Sequence, residues 1–377
     1  MLIFGIIKRH RDDLADGDNM NCMIGDFSDY DEIFSVNISE KKPYVSVLMI
    51  TYKHENYIVQ AVSTLLEQTY SGFELIISDD TSPDKTQQIL LDYLNEYKGS
   101  VAIRYIRLRN NNHRHRDVFR TFARGELLLT MDGDDFSMPH RLQRTVELWK
   151  SLTPRPSTMI VNAHRYIDAT GEIIGKALDN HWCTPGGKIY FKPQNPLDLS
   201  YPMFGSGTVM SHEFFRWTNQ LDNSISVIAG DSVRARRALL HQGIWFVDET
   251  LFYYRVNSSS VSFSGIADKR WIHDRLLRYQ ILEKDYQYIM PNGVVPKDIL
   301  CALRRHQKRL KWEERLIDAP LPMWILFFGG SCIFSPSSLK NTFKARIKLL
   351  LWGDVNAQYA NAPTFSFRNL LKGIKGR

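Results

Sequence analysis

Short apolar runs alternate with helical repeats along the first part of the chain. Residues 44–51 are largely apolar and rich in β-branched side chains, the pattern of a buried strand. Residues 56–68 then place Tyr57, Ala61, Leu65 and Leu66 at helical spacing. Residues 73–78 predict a second strand that runs straight into Asp79 and Asp80. A helix is predicted over 83–97, with Ile89, Leu90, Tyr93, Leu94 and Tyr97 on one face. Residues 101–108 predict a third strand, 118–123 a short helix and 127–131 a fourth strand. Strands alternating with helices across short connections mark an α/β fold built on an open, mostly parallel sheet. Ligands of such sheets bind outside the carboxyl ends of the strands, so Thr51, Asp79, Asp80 and Asp132 are expected to line one crevice.

Beyond Arg141 the pattern loosens. A helix is predicted over 142–152 and a strand over 158–164, followed by an irregular loop rich in Pro, Gly and Asn over 176–204. Helices are predicted over 211–218 and 231–241, strands over 244–247 and 251–256, and charged helix from about 267 to 318. The expected organisation is an extension over 1–43, a main domain over 44–265 with halves 44–140 and 141–265, and a basic helical region over 266–377.

Chemistry is concentrated at residues 125–142, where the apolar run ends in Asp132, Gly133, Asp134 and Asp135. Carboxylates this close repel one another unless a cation or hydrogen-bond donors lie between them. Mg²⁺ or Mn²⁺ shared with a phosphate-bearing ligand supplies that cation, because both favour oxygen ligands. A calcium loop is disfavoured, since Ser137 and Gln143 stand where its Gly and Glu are needed. The formal charge of +7 suits an anionic partner. Much of it comes from residues 340–377, whose only acid is Asp354. The 44% hydrophobic share fits a full core rather than a disordered chain.

The 4 cysteines form no Cys-x-x-Cys pair, so neither zinc site nor disulfide framework is expected and a cytoplasmic location fits. In the apolar start of the chain the basic run 8–11 follows instead of preceding, which is not the order of a secretory signal. Residues 319–339 carry no charge, yet Pro320, Pro322 and Pro336 argue against a continuous span. The basic, apolar stretch 340–352 suits an anionic membrane surface, so residues 319–352 are a candidate peripheral membrane contact. Packing on the main domain is the alternative. No aromatic residue interleaves the basic loop 110–117, and no nucleic-acid partner is expected.

Four segments, in order, resemble the inverting glycosyltransferases of family 2, which have the GT-A fold. They are residues 45–52; Glu67-Gln68-Thr69-Tyr70 with 73–86; 123–126 leading into Asp132-Gly133-Asp134-Asp135 and Pro139; and Gly230-Asp231 with Tyr254-Arg255 and 258–262. The resemblance implies that Asp80, with Asp79, Thr51 and Tyr52, forms the nucleotide pocket. It implies that Asp132 contacts ribose or sugar, that Asp134 ligates the metal on the diphosphate, and that Arg116 holds the family's basic position. It also implies that Asp231 is the catalytic base. Gly205, Ser206 and Arg255 are candidate acceptor or diphosphate contacts. Two departures stand out: Gly230 replaces a common first acid, and Asn257 a frequent His.

The expected activity is metal-dependent, inverting transfer of a sugar from a nucleotide diphosphate donor, UDP-linked in the first instance. The expected acceptor is a glycan or lipid-linked saccharide hydroxyl in bacterial surface polysaccharide synthesis. One carboxylate base on the acceptor side implies single displacement and hence inversion. A sugar nucleotidyltransferase is one rival, but its Gly-rich phosphate loop is missing from residues 51–56. A nucleotide-sugar-binding protein that has lost catalysis is the other.

Overall fold

A computed structural model describes residues 29–111, 114–152, 159–174, 188–189, 205–220, 230–241, 243–256, 269–289, 295 and 297–318. The first strands are β1 (Tyr30–Val36), β2 (Val45–Thr51), β3 (Phe73–Asp79), β4 (Ala102–Leu108), β5 (Leu127–Asp132) and β6 (Phe136–Ser137). The later ones are β7 (Met159–Ile167), β8 (Ile173–Ile174), β9 (Lys188–Ile189), β10 (Thr208–Ser211) and β11 (Ile244–Arg255). Helices α1 (Ile58–Leu66), α2 (Thr86–Asn95), α3 (His115–Phe122) and α4 (Arg141–Ser151) accompany the first half. Helices α5 (His212–Gln220), α6 (Gly230–His241), α7 (Lys269–Ile289) and α8 (Lys297–Asp318) complete the described chain.

The main path of the sheet runs β1-β4-β3-β2-β5-β10-β7-β11-β6, with β8 on β7 and β9 on β11. Strands β4, β3, β2 and β5 are parallel, as their apolar runs predict. Alternate residues of these strands divide between two cores. Val47, Met49, Leu75 and Leu129 meet α1, α2 and α4 through Val62, Leu65, Leu90, Leu94 and Trp149. Leu48, Ile76 and Leu128 meet α3, α5 and α6 through Val118, Phe119, Phe214, Ala235 and Leu239.

Three strands depart from the sequence-based expectation. β1 lies within the segment expected to be an extension, yet it pairs antiparallel with β4 and belongs to the main sheet. Its alternation is weak because it is an edge strand carrying polar residues, Asp31 and Glu32 among them. β10, a short, fully buried strand, falls where no element was predicted, except that Ser211 was expected to open a helix; it lies antiparallel between β5 and β7. β11 is one strand where two were expected, because register shifts between Val247 and Phe252 let polar residues bulge without ending it.

Strand direction fixes where the loops converge. β10 is antiparallel to both β5 and β7, so β7 runs with β5, and β11 runs parallel to β7. Six strands therefore share one carboxyl edge. α3 leads into β5 and α6 into β11, so each of these helices begins toward that edge.

α7 and α8 form their own small core of Leu276, Tyr279, Leu282, Tyr286, Leu303 and Leu310. Arg237 of α6 joins this pair to the domain. Its Nε and Nη2 donate to Asp285 of α7 at 2.8 and 3.1 Å, and Nη1 donates to the Thr218 carbonyl at 3.1 Å. Both partners are buried. No described helix is long and apolar enough to cross a membrane. Residues 319–352 lie outside the described residues, as do Asn257 and 258–262.

Candidate active site

β2 ends between two acidic loops. The Thr51 carbonyl accepts the Asp80 N–H at 3.0 Å on one side, and the Ile50 carbonyl accepts the Gly133 N–H at 2.8 Å on the other. Neighbouring strands lie roughly 4.8 Å apart, so the two loops stand about 10 Å from each other across β2. Asp79–Asp80 and Asp132–Asp135 are thereby brought to one crevice, as the strand-end pattern predicts.

The loop after β3 is held by Asp79. One carboxylate oxygen accepts the Ser82 N–H at 2.8 Å, and the other accepts the Tyr105 hydroxyl at 2.8 Å with Arg107 at 3.5 Å. Asp79 is fully buried and its oxygens face protein donors, which makes it a loop anchor. This differs from the nucleotide contact expected of it. Burial, followed by the Asp79 charge, raises the Tyr105 phenol far above its ordinary range. Asp80 follows, also buried, with the His115 imidazole 3.8 Å from its carboxylate. The other ring nitrogen of His115 lies 2.8 Å from the Ser78 hydroxyl. Lys53 and Thr81 take positive φ values of 60° and 62°. Such strain in non-glycine residues persists where surrounding contacts over-determine the backbone. Here the Lys53 N–H donates to Ser82 Oγ at 3.1 Å, and the Thr81 hydroxyl to the Leu108 carbonyl at 2.7 Å.

His54 fills the space between β2 and the second acidic loop. Its Nδ1 is 3.3 Å from Thr51 Oγ1 and its Nε2 is 3.8 Å from Asp134 Oδ1. Burial lowers its pKa, against the opposing pull of Asp134, Asp84 and Asp79. Gly133 must be glycine here: an added Cβ would stand 2.8 Å from His54 Nδ1 and 2.9 Å from Thr51 Oγ1. Tyr52 is half-buried, with the Lys53 ammonium 5.1 Å from its ring centre.

Behind the carboxylates lies a polar frame that sequence reading missed. Ser206 Oγ accepts the Asp132 N–H at 2.8 Å and donates to the Asp132 carboxylate at 3.2 Å. The guanidinium of Arg141 is fully buried against the Phe252 ring, and donates to Asn162, Ser137 and the Ser206 carbonyl. Burial pushes Arg141 down to about 9, with the Asp135 charge opposing the shift. Asp135 is buried and accepts the Arg255 N–H at 2.7 Å. Burial, and then the charges of Asp134 and Asp132, push its carboxyl well above the ordinary range.

Arg255 was expected to face acceptor or diphosphate, but it is 3% exposed and its donors are directed into the protein. They reach the carbonyls of Asp134, Asp168 and Ala169 at 2.8, 2.9 and 3.0 Å and Gln60 at 3.0 Å, with the Tyr57 ring 4.3 Å beneath. Gly205 and Ser206 form a 3₁₀ turn whose buried serine supports Asp132 instead of opening to an acceptor. Both departures have one cause: a long-range partner absorbs a polar group that looks available in sequence. Arg141 and Ser206 carry no local sign of this, since their partners lie on other elements.

Among the described residues no group of three His, Cys, Asp or Glu side chains is arranged to hold a metal. The donor set still fits Mg²⁺ or Mn²⁺, which take one or two carboxylates and complete their shell from phosphate and water. Asp134, 12% exposed in its side chain, is the carboxylate of the loop suited to that contact. Asp231 lies at the start of α6, toward the carboxyl edge, and Arg116 lies at the start of α3 on the same side. Burial lowers Arg116 to about 10, and the charges of Arg234, Arg237 and Arg120 act in the same direction, against Asp117.

Comparison with known proteins agrees with the fold. The profile described as Glycosyl transferase family 2 matches residues 46–196. EpsE of Bacillus subtilis (strain 168), a glycosyltransferase by name, is 34% identical over 290 residues, covering 71% of this chain and 95% of EpsE. WfgD of Escherichia coli, named as a UDP-Glc:alpha-D-GlcNAc-diphosphoundecaprenol beta-1,3-glucosyltransferase, is 28% identical over 113 residues, covering 28% of this chain and 40% of its own. The crystal structure of S. aureus TarS 1-349 in complex with UDP-GlcNAc superposes with a TM-score of 0.52 at 15% identity. That superposition covers 85% of this chain and 99% of TarS 1-349, and shows a shared fold.

Proposed function

The chain belongs to glycosyl transferase family 2, and we propose on that premise that it transfers a sugar from a nucleotide diphosphate donor to a saccharide hydroxyl with inversion. The observation carrying this reading is the bracketing of β2 by Asp80 and Gly133, which brings a buried acid and a carboxylate cluster to one crevice. In this reading Asp80 and Tyr52 receive the nucleotide, and Asp132, oriented by Ser206, receives ribose or sugar. Thr51 reaches the pocket through its contact with His54.

Asp134 would hold Mg²⁺ or Mn²⁺, which would supply Lewis-acid stabilisation of the departing diphosphate. Arg116 adds positive charge from the other side of the crevice. Asp231 takes the acceptor proton, which supports single displacement. A lipid-linked acceptor in surface polysaccharide synthesis is supported by the similarity to WfgD, whose name carries a diphosphoundecaprenol acceptor and a UDP donor.

A thermal-shift screen of nucleotide sugars with and without Mn²⁺ tests the donor and the metal together. The expected result is Mn²⁺-dependent stabilisation by a UDP-sugar, abolished by Asp134→Asn. Asp231→Asn should lower turnover by ~10²–10⁴-fold while donor binding survives. Near wild-type turnover in that variant would remove Asp231 from the mechanism.

A further inference from the structure

α8 carries a cationic stripe. Residues 297–311 hold Lys297, Arg304, Arg305, Lys308, Arg309 and Lys311 against one acid, Asp298. At 3.6 residues per turn, all of these cations but Arg309 fall within about one third of the helix circumference, along about 20 Å of its length. Lys297, Arg304, Arg305, Lys308 and Lys311 are all exposed. Leu303 and Leu310, on the opposite side, are fully buried against α7 and fix this orientation. Arg304 has Glu283 of α7 at 3.7 Å; the other four make no ion pair among the described residues. Arg304 and Lys308 stand four residues apart and Lys308 and Lys311 three apart. Like charges at those spacings destabilise a helix, and an anion lying along the stripe removes the repulsion.

Charge decides what can cover this face. A second copy presents the same sign and is repelled. Residues 319–339 carry no charge and 340–377 are basic apart from Asp354, so the chain's own C-terminal segment supplies almost no counter-charge. No exposed large hydrophobic side chain lies on α8 among the described residues, which leaves an apolar or coiled-coil partner nothing to pack on. We propose that this face of α8 lies along an anionic lipid leaflet, held by the charged headgroups. The choice of a bilayer among polyanions rests on the proposed lipid-linked acceptor, whose lipid is anchored in such a leaflet. Because the buried Arg237–Asp285 pair ties α7 to the domain, docking of α8 holds the domain at the surface. Contact through charge without insertion makes the attachment reversible and sensitive to salt.

The test sediments the full-length protein with vesicles of phosphatidylcholine alone and of equal parts phosphatidylcholine and phosphatidylglycerol, at low and at high salt. The wild type is expected on the mixed vesicles at low salt only. Each basic side chain near such a surface is worth about fivefold in binding, so Arg305→Gln/Lys308→Gln/Lys311→Gln should bind about a hundredfold more weakly. Should that variant fail to fold, Lys308→Gln decides through its own loss of about fivefold. Wild-type affinity in the α8 variant, with the loss falling instead on Lys340→Gln/Lys344→Gln/Lys348→Gln, overturns the assignment to α8. A wild type that ignores the mixed vesicles, or binds both kinds equally, overturns the leaflet, as does binding to duplex DNA without binding to vesicles. Mn²⁺-dependent thermal stabilisation by a UDP-sugar reports the enzyme reading separately, because α8 packs on α7 and not on the acidic loops. A vesicle result against the stripe with that stabilisation intact leaves the glycosyltransferase reading standing.

Discussion

Ser206 and Asp132 exchange two hydrogen bonds: the Asp132 N–H donates to Ser206 Oγ at 2.8 Å, and that hydroxyl donates to the Asp132 carboxylate at 3.2 Å. A residue 74 positions away thus sets both the backbone and the side chain of the first acid in the cluster. Ser206→Ala leaves a buried N–H without its acceptor, a loss of about 1–3 kcal/mol. Urea denaturation is expected to show that loss, and the Michaelis constant for the donor should rise with it. Unchanged stability would mean that Ser206 does not hold the loop.

Gly133→Ala probes the tight contact beneath the acidic loop. The new methyl meets His54 Nδ1 at 2.8 Å and Thr51 Oγ1 at 2.9 Å, so the imidazole, the hydroxyl or the loop must move. Overpacking of this kind costs about 1–3 kcal/mol. Calorimetric titration should show weakened donor binding, since His54 and Thr51 stand beside the acidic loop, and the melting temperature should fall because core residue Ile58 lies 3.1 Å from the same methyl.

The Arg237–Asp285 pair makes the C-terminal helices part of the domain's stability. Removing one partner of a buried pair strands the other, which typically costs about 3–5 kcal/mol. Asp285→Ala is expected to lower the melting temperature sharply, whereas a surface change such as Arg144→Ala, which breaks only exposed pairs with Glu147 and Glu249, should leave it nearly unchanged. Truncation before α7 should destabilise the remainder by the same mechanism. Equal melting temperatures for Asp285→Ala and the wild type would contradict this role.

His164 gives stability a pH signature. Burial pushes its imidazole down to about 4 from the model-peptide value of 6.5. The unfolded chain therefore binds this proton more readily than the folded one as pH falls below about 6.5, and stability declines through that window until pH 4. The full span is worth about 3 kcal/mol at 1.36 kcal/mol per pH unit. His164→Phe should flatten the difference between denaturation curves recorded at pH 7 and pH 4.5; a parallel decline in both proteins would assign the slope to other groups.

Much of the donor half was legible in sequence because its signals are local. Strands β2, β3, β4 and β5 are apolar runs, and two of them deliver acids directly at their ends, so parallel pairing alone carries Asp80 and Asp132 to one edge. The short strand β10 was illegible, since four residues carry no period and their strand character comes from pairing on both sides.

The sequence by itself determined the fold class, the family and the positions of the acids, all consequences of periodicity and of residue order along the chain. Tertiary structure alone decided which polar groups support and which face the crevice. Asp79, Ser206 and Arg255 look like ligand contacts until Tyr105, Asp132 and the carbonyls of Asp134, Asp168 and Ala169 are found against them. The physical reason is that a buried polar group must be satisfied, and its partner is chosen by strand order and helix packing, which bring together residues that no local pattern connects.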